Sequence, residues 1–523
     1  MGFTWTVLAS ASGCAFLFDF PEQGSIGGAG GAGSGASSNG AGDAGGAGGS
    51  LPTPSIEAVP WQTTPSVEGD GAFVAITSLT HNPDEDLLYA FGHASDGLAD
   101  LGLPLGQGGQ VFVVGLPQTG APELLMNAIA CDAGARVPLT GRAGQWYNAD
   151  ELFLPMTLPS SPGSGNRWAL GYGSLDMCGS GDELVVTPTN TSSPTDVPSF
   201  VLFDGFDLSG TVCQDCDGVA FEVTYRDPVF ALLGATSGDP FLEPNSDSSY
   251  FVMLQDDVQE PPVVEIKVFD DIPQEAPTTG KPKPSWTGGI AVDELGRGWL
   301  GGGACDIGSG CDDPQVVFGV ASLFQENPEL LVKQTGRRGI DISAATSVEH
   351  ADGIVLVAGQ YQGELGFLSI TLPAVVGAVP FVVAVESTNN TVRWSYPASS
   401  EQTGDDALRW QSITDMAVTG DKSDGAVFVV GCSAPLASAN VECATLEPGK
   451  TGFVKKLDLA TGALLWSGEM MPTDGAHAFL PTAVTATAEH VWFAAQLLGS
   501  VDLWGQPLES AGAGGAVVIQ LAP

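Results

Sequence analysis

Nine cysteines, five histidines and 61 acidic residues are the side chains here with chemistry to offer. Cys305 and Cys311 flank one short loop, and Cys432 and Cys443 flank the equivalent loop two repeats on. Each pair is expected to form a disulfide that closes its loop. Cys213 and Cys216 form Cys-Gln-Asp-Cys, and Cys131 and Cys178 are left to each other. Sequence alone does not fix this connectivity. Cys213 and Cys216 have the spacing of a redox dithiol, but such motifs sit before a helix in a thioredoxin-like setting. No helical periodicity follows, so a structural bridge is expected. A zinc site needs paired knuckles, which these spacings do not supply. Disulfide use places the domain in an oxidising compartment.

The other candidates carry less. His81, His93, His350, His477 and His490 form no His-Glu-x-x-His. His350 and His490 fall at expected hairpin turns, where a solvated polar residue is the ordinary reading. Asp306, Asp312 and Asp313 are calcium-type ligands, but they fit no EF-hand spacing and are expected to be solvated loop acids. Gly449-Lys450-Thr451 ends like a phosphate loop, yet Ala444 stands where the first glycine belongs. Paired carboxylates for polymer hydrolysis have no signature that singles them out among 61 acids. No catalytic residue, metal site or cofactor is therefore assigned. The formal charge of −44, with 17 basic residues, disfavours nucleic acid and anionic membrane surfaces as partners.

These groups must be positioned by a repeat. A short apolar pair recurs as Phe112-Val113, Phe200-Val201, Phe251-Val252, Val317-Phe318, Phe381-Val382, Phe453-Val454 and Val517-Val518. A period of roughly 65 residues means one supersecondary unit stacked many times. The sixth copy shows the unit best: Ile413–Val418, a polar turn, Val427–Gly431, a longer loop, Gly452–Asp458, a turn, then Ala463–Ser467. That is four short β runs separated by turn chemistry. A glycine expected to end the second strand recurs at Gly92, Gly171, Gly234, Gly301, Gly359 and Gly431, with Ala495 in the last copy.

Four antiparallel strands, seven times over, predict an all-β, seven-bladed β-propeller across residues 51–523. The last copy lacks its fourth strand. Ile56–Gln62, around Trp61, reads as that strand, so it is expected to complete the last blade and close the ring. Pro60 is tolerable on an outer edge.

Leu457-Asp458-Leu459-Ala460-Thr461-Gly462-Ala463-Leu464-Leu465-Trp466 is similar to the repeat of pyrroloquinoline-quinone-type propellers. The resemblance implies that Asp458 and Thr461-Gly462 make a turn and that Trp466 docks between blades. Glu386 to Trp394 resembles it loosely. Quinoprotein dehydrogenases of that class hold their cofactor with adjacent cysteines and a calcium site; no two cysteines are adjacent here. Non-enzymatic members act as scaffolds in outer-membrane protein assembly, which implies a docking role.

At the N-terminus, a short apolar stretch leads to Ala11-Ser12-Gly13-Cys14, which resembles a bacterial lipobox. The resemblance implies a signal segment at 1–14, lipid on Cys14 and, with Ala15 following, sorting to the outer membrane. The first basic residue is Arg136, so the positive start of a signal peptide is missing, consistent with a start codon assigned too far downstream. Residues 15–50 are dominated from Gly24 onward by Gly, Ala and Ser. Such a segment is expected to be a coil of roughly 30 Å root-mean-square span.

The expected protein is thus an exported, lipid-anchored monomer at the outer membrane or cell surface. Its expected role is to bind or scaffold a protein or polysaccharide of the envelope, with the membrane contacted only through the lipid. The rival reading is a hydrolase or lyase acting on extracellular polymer, with carboxylates at the central channel.

Overall fold

The computed structural model describes the chain between residues 52 and 522 with several stretches left out, the longest being 131–144, 171–183, 189–200, 205–217 and 275–287. The described chain is all β. Six sheets are built on four antiparallel strands each, consecutive in the chain in all but the last. Sheet A is Val74–Asn82, Leu87–Ala94, Gln110–Pro117 and Glu123–Ala130, with Leu184–Pro188 added outside as a fifth strand. Sheet B is Gly218–Arg226, Val229–Thr236, Ser248–Asp256 and Val263–Gln274. Sheet C is Gly288–Val292, Arg297–Cys305, Pro314–Ser322 and Glu329–Thr335. Sheet D is Ala344–Ala351, Ile354–Phe367, Ile370–Glu386 and Thr391–Tyr396. Sheet E is Arg409–Thr419, Ala426–Pro435, Thr451–Asp458 and Leu464–Met470. Sheet F is Ala478–Ala486, Val491–Leu498 and Gly515–Leu521, completed by Ile56–Thr63. Between A and B in the chain lies a three-stranded sheet of Met156–Leu158, Arg167–Leu170 and Val201–Asp204.

Consecutive sheets pack face to face, inner strand beside inner strand, from B through F, and the inner strand of A packs on F. This is the arrangement of a β-propeller. Each junction encloses its own apolar layer, and alternation along one strand feeds two layers. Val355 and Val357 face the layer shared with C, whereas Ile354, Leu356 and Ala358 face the layer shared with E. A strand buried on both faces reads as an unbroken apolar run, which is why this segment shows no polar alternation.

The recurrent apolar pair lies on the third strand of sheets A to F; in the three-stranded sheet Val201 opens the last strand, and Phe200 lies outside the described residues. The glycine does not end the second strand, as the sequence suggested, but sits inside it. It stands directly opposite the aromatic: Gly92 faces Phe112, Gly234 faces Phe251, Gly301 faces Phe318, Gly359 faces Phe381 and Gly431 faces Phe453. At Gly92 and Gly431 the phenyl ring occupies the space of the missing side chain, and a carbonyl of the inner strand presses on it from the other side; at Gly359 the inner-strand backbone fills that space, and at Gly301 the Val348 and Ala345 side chains do. A Cβ on Gly431 would lie 2.5 Å from Phe453 Cζ and against Ser412 O. In sheet F the partners are Ala495 and Val517, a larger residue facing a smaller one. Gly431→Ala is therefore expected to destabilise by about 1–3 kcal/mol. Gly431→Ala combined with Phe453→Val should recover part of that loss in denaturant unfolding. Additive costs would contradict this packing argument.

The outer strand of sheet F comes from the N-terminal side. Trp61 stands opposite Val518 and Thr63 opposite Ala516. The expected pairing is present, but Trp61 is one pleat away from the position held by the other tryptophans. Trp394 and Trp466 face the residue three beyond the recurrent Phe, whereas Trp61 takes the place of Tyr396. Two register shifts between Ile56 and Trp61, around Pro60, account for the offset. Trp61 still packs in the layer between F and A, edge-on to Phe112 at 6.0 Å.

Strand ends sort the connections onto two faces. Links from first to second strand and from third to fourth strand are tight turns, such as 227–228, 293–296, 352–353, 387–390, 459–463 and 487–490. Links from second to third strand run longer, except in sheet D, where a two-residue turn at 368–369 joins two long strands; links from sheet to sheet also run longer, and examples of both are 95–109, 275–287, 397–408, 436–450 and 499–514. The turns of neighbouring sheets meet: Gly353 N donates to Glu294 Oε1 at 3.0 Å and Arg297 Nη2 to Ser387 O at 2.6 Å. We call these the turn face and the loop face. Ile56, opposite Leu521 and beside the 487–490 turn, enters on the turn face.

Candidate functional site

The inner strands form the wall on which the rival, catalytic reading depends. In five sheets the inner strand carries one bulge, at Thr77, Phe221, Thr346, Thr414 and Thr482. A bulge re-aims the next side chain. Two of the bulge threonines bridge sheets: Thr346 Oγ1 donates to Ile413 O and Thr414 Oγ1 to Pro481 O, both at 2.8 Å. The residues that follow the bulges in sheets B, D and E are Glu222, Ser347 and Asp415. Glu222 Oε2 accepts from Ile290 N at 3.0 Å, and Asp415 Oδ2 from Val484 N at 2.8 Å. These two acids stitch one inner strand to the next.

Two residues beyond Ser347 lies Glu349, half-buried on the same side of the strand. Ser347 Oγ is 3.4 Å from Asp415 Oδ1. Burial, and then the charge of Asp415, push the Glu349 carboxyl up to about 8. It keeps its proton at neutral pH and is equipped to donate a hydrogen bond or a proton beside a second carboxylate. Among the described residues the exposed large apolar side chains are Leu295, Phe324, Leu465 and Met471, none of them on an inner strand. Glu349 and Asp415 thus come together, with no exposed aromatic on an inner strand among the described residues.

A second polar cluster ties three sheets at the turn face. Arg226 of sheet B, Glu294 of C and His350 of D converge. The histidine was expected to be a solvated turn residue; its side chain is instead 2% exposed. Arg226 Nη1 lies 2.7 Å from His350 Nδ1. A guanidinium only donates, so Nδ1 accepts and the ring proton sits on Nε2, 2.9 Å from Glu294 Oε2. Burial, ahead of the opposing pull of Glu294, holds the imidazole below its usual range. His490 is likewise only partly solvated: its ring lies 5.3 Å from Trp492, whose other neighbour is His81 at 5.2 Å.

Of the residues picked from sequence, Cys432 is buried and disulfide-bonded. Its expected partner Cys443 lies outside the described residues. Cys305 ends the second strand of sheet C, opposite Pro314; Cys311, Cys131, Cys178, Cys213, Cys216, Cys14 and the acids Asp306, Asp312 and Asp313 lie outside the described residues. Asp458 and Thr461 do form the expected turn, with Asp458 Oδ1 accepting from Thr461 N at 2.8 Å. Trp394 Nε1 donates to Leu459 O of that turn at 2.8 Å, and Trp466 lies in the layer between E and F. Glu349 and Asp415 were not picked out. The available signal was an acid directly after a bulging threonine, Thr414-Asp415, which only the repeat register makes visible.

No protein-family model and no curated protein matches the chain. Distant structural likenesses run to sialidase, neuraminidase and lyase propellers. The ectodomain of the parainfluenza virus 5 hemagglutinin-neuraminidase is matched at TM-score 0.37 and 8% identity, over 90% of this chain and 84% of that one. The phage phi92 endosialidase gives 0.35 and 8%, over 90% and 68%. The polysaccharide lyase Uly1 gives 0.35 and 12%, over 74% and 91%. At TM-scores below 0.5, the activities in these names do not transfer to this chain.

Proposed function

We propose that this chain is an exported seven-bladed β-propeller, anchored by lipid on Cys14, that binds or scaffolds a partner at the cell surface through its loop face. Counting the three-stranded sheet between A and B as a blade gives seven, and the 56–63 strand then closes the ring. The observation that carries the reading is the division of the two faces: the N-terminal strand enters among tight turns, and the longer connections gather at the opposite end. Binding residues concentrate on loops held by a rigid scaffold. The test is a pull-down of the intact protein from its native envelope, with mass spectrometry of captured partners and of the N-terminal peptide. A diacylglyceryl group on Cys14 and a reproducible partner lost on loop-face substitution are expected. An unmodified, uncleaved Met1 start would end the anchoring part.

One observation favours a second reading. Glu349, protonated beside Asp415, supports a hydrolase or lyase acting on extracellular polymer. Depolymerisation by wild type that drops by two or more orders of magnitude in Glu349→Gln is expected on this reading. Equal rates for both proteins would remove it.

A further inference from the structure

We propose that the turn face lies against the bilayer and that Phe324 and Leu295 touch its interface. The proposal rests on the lipid-anchored reading and replaces its expectation that the membrane is contacted through the lipid alone. Phe324 is 81% exposed and Leu295 63%, the two most exposed large apolar side chains among the described residues. Both lie at the turn end of sheet C. Arg297 pairs with Ser322 at the turn end of sheet C, and Leu295 and Phe324 each stand two residues beyond that pair. Leu465, also exposed, borders the 459–463 turn on the same face.

Both turns are held in shape by hydrogen bonds. Leu295 N donates to Asp293 Oδ1 at 2.9 Å. Phe324 N donates to Ser322 Oγ at 3.2 Å, and Lys267 Nζ to Gln325 O at 2.6 Å. The apolar side chains are thus presented outward by fixed backbone.

The occupant follows from where the chain leads. Ile56 enters sheet F on the turn face, so residues 15–50 connect that face to Cys14. Read from composition, that segment spans about 30 Å. A bilayer holding Cys14 is then within reach of the turn face. Two apolar side chains are too few to recruit a free protein of charge −44 to a membrane. Once the lipid is inserted the contact becomes intramolecular, at an effective concentration near the millimolar range, and a weak contact suffices to set orientation. Glu329 and Glu489, exposed at turns of this face, restrict the fit to zwitterionic headgroups. The loop face then points away from the membrane.

The experiment uses the full lipidated chain in phosphatidylcholine vesicles, with Phe324→Trp as reporter and brominated phosphatidylcholine as quencher. Quenching beyond that of the wild-type tryptophans is expected, and so is its decline when anionic lipid is mixed in. Leu295→Ser with Phe324→Ser should remain vesicle-bound through the lipid while its turn-face amides gain deuterium exchange. A lipidated Cys14 peptide with no extra quenching overturns the contact alone. A Cys14 peptide without lipid, together with no vesicle association, overturns both the contact and the anchoring.

Discussion

Asp293→Ala is expected to destabilise the domain by about 3–5 kcal/mol. The carboxylate lies at the turn of sheet C with no exposed surface. It accepts from Leu295 N at 2.9 Å, Arg297 N at 3.0 Å, Arg297 Nε at 2.7 Å and Trp299 Nε1 at 2.8 Å. Arg297 Nη2 closes a second arm at 2.6 Å and also reaches Ser387 O in sheet D. Removing the acid strands a guanidinium and a fully buried indole N–H, and it loosens the junction between C and D. Burial works to raise the acid's pKa, but the hydrogen bonds from Trp299 and Arg297, then the charge of Arg297, hold it below the ordinary carboxylate range. The contribution is therefore present above the unfolded value near 3.8 and is lost as pH falls through the lower folded value. Denaturant unfolding at pH 7 and pH 3 checks both parts. A variant as stable as wild type at pH 7 would contradict the assignment.

Glu349→Gln is expected to act in the opposite direction and over a different range. The carboxyl has an ordinary value of 4.5 and a folded value of about 8. Below pH 4.5 both states hold the proton and the residue contributes no pH dependence. Between those values the unfolded chain releases its proton while the folded chain keeps it, so stability falls as pH rises. Glutamine cannot titrate and escapes this loss. Wild type and variant should unfold alike near pH 4 and diverge by on the order of 4 kcal/mol at pH 8, with the variant the more stable. Parallel curves across that range would mean that Glu349 is solvated and ionised at neutral pH, and the proton-donor role proposed for it would go as well.

Most of the scaffold was legible because a propeller repeats its errors and its rules alike. The recurrent apolar pair marked the third strand in sheets A to F, and the glycine marked the second in A to E. Its purpose was not legible, because the cross-strand register that sets Gly431 under Phe453 is a property of two strands and one bulge. The strand around Trp61 was readable as a fourth strand from its apolar pattern. Its pleat was not, since Pro60 shifts the register locally. The site fared worse. Asp415 and Glu222 look like any other acids until the fold places a backbone N–H of the next sheet against each. His350 read as a turn residue, which it is in the chain; that Arg226 and Glu294 arrive from two other sheets to bury it depends on contacts 124 residues apart and less.

We propose a closed ring of seven sheets sealed by the 56–63 strand. A crystal structure of the mature exported chain, viewed along the channel axis, tests it most directly. The account predicts seven blades around one channel, with Trp61 opposite Val518 in the last of them. A different number of sheets, or residues 56–63 paired anywhere other than with 516–521, would contradict it.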